Sequence, residues 1–170
     1  LVLALALMAP VHTIAQPAQV PIRILDEDRL FRESRLGQSI LEGLRAAEEA
    51  LERENAEIFE RLAAEESALT ALRPSLSPEA FRSRADEFDR HVEEIRAERA
   101  ERARQLARQS EAETQAFFQD ALPVLVELLG ELGVVALFKP DVLILGTDWL
   151  DITDVAIRRL DAETARPGGN

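Results

Sequence analysis

The side chains that could carry out chemistry are few, and they stand far apart. Cysteine and tyrosine are absent, which removes a thiol nucleophile, a soft metal site and a phenolic acid or base. Of the two histidines, His12 sits in an apolar N-terminal run. His91 falls on a helix flank with no second ligand or base at motif spacing, so it reads as a surface histidine. Lys139 lies in a turn between two apolar segments and is expected to be solvated rather than reactive. Carboxylate pairs such as Glu65-Glu66 and Glu93-Glu94 could in principle do acid–base work. In a chain with 32 acidic residues, a solvated helix face explains them. No glycine-rich phosphate loop and no metal-ligand spacing occurs. The expectation is a protein that is not an enzyme, with no catalytic, cofactor-binding or metal-binding residue. Any function must come from surfaces.

The charge balance narrows which surfaces. With a net charge of -12 and 31% charged residues, the chain lacks the basic footprint that a phosphate backbone demands, so nucleic acid is not an expected partner. The first fifteen residues, LVLALALMAPVHTIA, carry no charge. Their apolar run is about nine residues, against the roughly 20 needed to span a bilayer. It fits the core of a secretory signal, with Thr13 and Ala15 as small residues before a cut ahead of Gln16. Residues 1–15 are thus expected to be a signal peptide that the sequence enters part-way. From Ala121 to Gly146 the chain is again apolar, but Glu127, Glu131, Lys139 and Asp141 interrupt it, and no stable membrane insertion is expected. An exported protein without disulfides must rely on packing or oligomerisation.

The elements that would position such surfaces are legible from periodicity. Val20–Leu25 reads as a short strand, and Asp26 or Asp28 can cap a helix running to Leu72. Its heptad places Leu41, Glu48, Asn55, Leu62 and Leu69 at one seam position, and Leu44, Leu51, Ile58, Glu65 and Leu72 at the other. The segment Arg73-Pro74-Ser75-Leu76-Ser77-Pro78 turns the chain. A second helix opens with Ser77 as cap and Pro78 at its first position. Its seam reads Phe81, Ala85, Phe88, Val92 and Ile95, turns polar at Arg99 and Arg102, and returns at Leu106. A fold about residues 75 and 76 puts Leu62 opposite Phe88 or Asp89, Ile58 opposite Val92 or Glu93, and Glu48 near Arg102. Asn55 and the Glu48/Arg102 layer are expected to set register. The hairpin would reach about 60 Å, taking roughly 40 residues at about 1.5 Å each.

Past Phe117-Phe118 the character changes. Pro123 is expected to kink or restart the helix, and Gly130 and Gly133 to end it. Val134–Phe138 and Val142–Leu145 read as two strands, joined tightly enough to form an antiparallel hairpin. Both are apolar at nearly every position, so both faces need cover, and one chain has little left to supply it. A short helix follows Asp151-Ile152-Thr153. The expected fold class is α+β, a small antiparallel β body bearing a long α-helical coiled-coil arm. Residues 20–26 and 121–161 form the body and oligomerisation region, 28–120 the arm, and 162–170 a disordered tail.

The order of these segments resembles the OmpH-like, Skp-type family of periplasmic chaperones. ILDEDRLFRESRLGQSI, ENAEIFERLAAEESALTALRPSLSPEAF and WLDITDVAIRRLD are similar to its alphaproteobacterial branch. The resemblance implies a homotrimer with a β body, three arms around a cavity, and unfolded outer-membrane β-barrel proteins held inside it in the periplasm. It implies no ATP, metal or cofactor. One departure stands out: the well-known member is basic, whereas residues 60–94 here hold five arginines against nine acidic residues. Capture by charge and binding of lipopolysaccharide are therefore not expected to carry over, while capture by apolar patches is. Candidate client contacts are Phe59, Leu76 at the tip, Phe117 and Phe118. Candidate oligomerisation residues are Ile22, Ile24, Val135, Leu137, Leu143 and Leu145. The competing expectation is a structural or adaptor coiled coil of the cell envelope that binds one folded partner.

Overall fold

A computed structural model describes residues 21–165 of the chain; the expected signal peptide and the last five residues of the expected tail lie outside them. Strand β1 (Ile22–Ile24) leads into helix α1 (Glu27–Glu33), and α2 (Arg35–Leu72) runs out along the arm. A 3-10 turn at Arg73–Ser75 reverses the chain, and α3 (Pro78–Leu132) returns it. Strand β2 (Ala136–Phe138) and helix α4 (Thr153–Thr164) complete the body.

Local capping accounts for most of these boundaries. The Asp26 side chain accepts the Arg29 N–H at the start of α1, and the Ser77 side chain accepts the Ala80 N–H at the start of α3. Gly133 ends α3 in the left-handed region at φ 60°, where a Cβ would be strained. The helix expected over Asp28–Leu72 is two helices. Ser34 leaves helical geometry at ψ 150°, its buried hydroxyl accepts the Gly37 N–H, and Asp161 of α4 accepts the Arg35 N–H at 2.8 Å. Gly37 is required here, because a Cβ would sit 1.7 Å from the Phe31 carbonyl oxygen. Pro123 neither ends nor restarts α3, which continues for nine residues beyond it. Tertiary packing of Ala121, Val124 and Leu128 outweighs the missing N–H there. Helix α4 likewise carries residues 162–164 into ordered structure, past the expected start of the tail.

The strand pairing corrects the expected antiparallel hairpin. Strands β1 and β2 pair in parallel, with Ile22 opposite Ala136 and Ile24 opposite Phe138, and the whole arm serves as their crossover. Asp151 bridges the other edge of β1 at Ile24. Val142–Leu145 is not a strand. Pro140 opens a 3-10 turn over Pro140–Val142, whose Leu143 N–H donates to the Pro140 carbonyl, and the residues left over are too few to pair back. The α+β class and the long hairpin hold; only the sense and membership of the sheet change.

The core sits where α1, the base of α3 and α4 converge, around Leu30, Phe117, Ala121, Ile152, Ala156 and Leu160. Along the arm most of the expected seam residues are half-buried and Ile95 is the most enclosed at 8% exposure, whereas Glu48, Glu65, Leu72 and Arg102 are exposed. Two helices cannot cover a seam that three would close. The register lies slightly off the expected one. Arg99 Nε donates to Asn55 Oδ1 at 2.7 Å, whereas Glu48 and Arg102 are exposed and unpaired with each other. The register-setting polar layer is therefore Asn55 with Arg99.

Candidate functional site

Two surfaces are built by this fold, one on the body and one on the arm. The body surface depends on a polar clasp. Thr153, fully buried, accepts the Asp26 N–H through Oγ1 at 2.9 Å, and its own N–H donates to Asp151 Oδ1 at 2.8 Å. The Asp151-Ile152-Thr153 triplet thus ties the start of α1 to the start of α4. Arg29 reinforces it from outside with Asp154 at 2.7 Å, Glu33 at 3.1 Å and Asp151 at 3.7 Å. Hydrogen bonds to Glu33 and then Asp154 push the Arg29 guanidinium above its already high ordinary value. Arg159 pairs with Glu131, closing α4 onto the end of α3. Lys139 is paired as well as solvated: it meets Glu27 at 2.6 Å, and that hydrogen bond raises its pKa.

With the body so clasped, its apolar residues divide into two sets. Leu137 packs against the core, and Leu143 lines a small hollow of about 160 Å³ with Ile24, Phe138 and Leu150. Ile22, Val135 and Leu145 remain exposed, Leu145 at 90%. Val142 and Ile144, from the segment expected to need cover, are exposed as well, and Trp149, which sequence reasoning missed, enlarges the surface with Arg23 stacked 4.8 Å from its ring centroid. Leu122 and Val126 extend exposed apolar area onto α3. Their signal was available, since they lie four apart beside the buried positions 121, 124 and 128 and so mark a second apolar face. Contiguous exposed apolar surface is the kind through which proteins associate.

The expected client contacts are not brought together. Phe117 is fully buried and packs edge-on against Phe31 at 4.9 Å between centroids, inside the core of the body. Phe118 is half-buried against Phe117 and Phe31. Leu76 is half-buried at the tip. Phe59 stands alone on the arm at 71% exposure. It edges a groove of about 680 Å³ with Leu62, Phe88 and Val92 on its floor and Glu66, Asp89 and Glu93 around it. A second groove nearer the tip holds His91 Nε2, 3.9 Å from Glu65. Towards the base, Arg108 and Arg104 grip Glu101 at 2.8 and 2.9 Å, and they hold its carboxyl below its ordinary value.

Among the described residues, no group of three or more His, Cys, Asp or Glu side chains could hold a metal ion. None of the described helices is long and apolar enough to cross a membrane. Residues 21–160 match a family described as outer membrane protein (OmpH-like). The fold is similar to a crystal structure from Caulobacter crescentus described as a candidate outer membrane chaperone (OmpH-like). The TM-score is 0.80 at 18% identity, over 86% of this chain and 87% of that one. No curated protein matches the chain.

Proposed function

The chain belongs to the OmpH-like family, and on that premise we propose that it is an ATP-independent periplasmic holdase for unfolded outer-membrane β-barrel proteins. Three copies assemble through the body, and their arms enclose the client. The observation that carries this is the uncovered apolar surface of Val135, Val142, Ile144, Leu145 and Trp149 at the foot of a two-helix arm. Such a surface is costly in water, at about 25 cal/mol for each Å² left exposed, and burying it between copies sets the arms side by side. The arm seam, half-covered in one chain, then offers many weak apolar contacts instead of one strong site. Weak contacts shield a client and still release it when membrane insertion is more favourable. Catalysis and cofactors have no part in this, and nucleic acid and stable membrane insertion are not involved.

The test is the solution mass of the chain from Gln16 onward, by light scattering on a sizing column, with and without a urea-unfolded outer-membrane β-barrel. The expected result is a trimer that carries one client into a soluble complex. Val135→Asp with Leu145→Asp, both at exposed positions, should yield monomers that keep their helix content and lose protection of the client. An oligomer that survives both aspartates would overturn the assembly. A chain that leaves the client to aggregate, and binds one folded partner at fixed stoichiometry, would favour a cell-envelope adaptor.

A further inference from the structure

We propose that the arm groove beside Phe59 docks extended client segments in which apolar side chains alternate with lysine or arginine. This deepens the chaperone function proposed above and rests on it. The groove has an apolar floor, Leu62, Phe88 and Val92, and an aromatic edge, Phe59, left 71% exposed. Its charges are unequal in availability. Arg96 is taken up by Glu93, and Arg99 donates to Asn55 across the hairpin at 2.7 Å. Both cations of the groove therefore face partners of their own chain. Glu66 on α2 and Asp89 on α3 are exposed and have no ion pair among the described residues. They stand on opposite walls of one apolar trough. The surrounding arm deepens the negative field, with nine acidic residues against five arginines over residues 60–94. A strand-like segment presents side chains to alternate faces. Its apolar residues can lie beside Phe59 while its ammonium or guanidinium groups reach the two free carboxylates. An acidic segment would meet repulsion from both walls.

The experiment uses the full chain and two peptides of equal length carrying an uncharged dye. One alternates leucine with lysine and the other leucine with glutamate, and binding is read by fluorescence anisotropy. The lysine peptide should bind about fivefold more tightly at low salt, the scale set by two exposed ion pairs, and the preference should fade as salt is added. Glu66→Gln with Asp89→Asn should remove most of the preference, whereas Glu42→Gln with Asp120→Asn, which takes away the same charge far from the groove, should leave it nearly intact. Phe59→Ser should weaken both peptides. Equal affinities, or a lysine preference that the groove pair lowers no more than the remote pair does, would overturn the assignment. Suppression of β-barrel aggregation, measured on the same variants, separates the two ideas. Protection of the client without a groove-dependent preference sinks only this inference. A groove-dependent preference without protection sinks the chaperone function and leaves the docking site standing.

Discussion

Replacing Thr153 by valine tests whether the buried clasp holds the body together by its hydroxyl or merely by its bulk. Valine keeps the shape and removes the acceptor for the Asp26 N–H, a bond of 2.9 Å made by a fully buried side chain. Stranding such a donor costs about 1–3 kcal/mol, and since this contact is only partly enclosed, about 1.5 kcal/mol is expected. Serine does the opposite, keeping the acceptor and losing one buried methyl, worth about 0.8 kcal/mol. The order of the two variants therefore discriminates: valine should be worse than serine. Urea unfolding followed by circular dichroism reads this directly. With a slope of about 2 kcal/mol per molar urea, valine should move the midpoint down by roughly 0.7 M and serine by roughly 0.4 M. Protein concentration must be held constant, because an oligomer's midpoint depends on it. If valine is neutral and serine is the worse of the two, Thr153 fills space and the hydrogen-bonded clasp is not what ties α1 to α4.

Further outcomes follow from other contacts. Phe117→Ala should cost about 3–5 kcal/mol in the same unfolding assay, whereas Phe59→Ala should stay within about 0.5 kcal/mol. Comparable losses would contradict their opposite burial. Gly37→Ala, which drives a Cβ into the Phe31 carbonyl, should destabilise the body by about 3 kcal/mol, and a neutral result would mean that the break at Ser34 is not tightly packed. The Glu101 carboxyl, held low by Arg108 and then Arg104, should titrate below the ordinary glutamate midpoint of 4.5 by NMR, and Arg108→Ala should raise it. Because the folded-state value is depressed, the arginine clamp contributes above the unfolded glutamate's pKa and is lost as pH falls through the folded one. A midpoint that Arg108→Ala leaves unmoved would remove that attribution.

Most of the arm is legible in the sequence. Leu41, Leu44, Leu51, Asn55, Ile58, Leu62 and Leu69 of the heptad lie half-buried on α2, and Phe81, Ala85, Phe88, Val92, Ile95 and Leu106 are half-buried or buried on α3, while Ser77, Pro78 and Gly133 bound their helix where capping chemistry puts them. The contact residues were less legible. Phe117 and Phe118 are adjacent in sequence and equally apolar, and only the approach of Phe31 and α4 decides that one is enclosed and the other half-open. The Ser34 break was hidden because Ser34 and Gly37 lie within a run of good helix formers. Asp161, which caps the new helix, is 126 residues from the Arg35 it serves.

What the sequence alone determined is what repeats within a few residues: helix period, turn, caps and the acidic arm. Each of these depends on neighbours one to four positions away, whose chemistry can be read in a line. The tertiary structure decided the parallel pairing of β1 with β2, the loss of strand from Val142–Leu145, the Asn55–Arg99 layer, and which apolar side chains stay uncovered. Those outcomes depend on which distant segments meet, because a strand edge or an apolar face is satisfied by whatever closes on it.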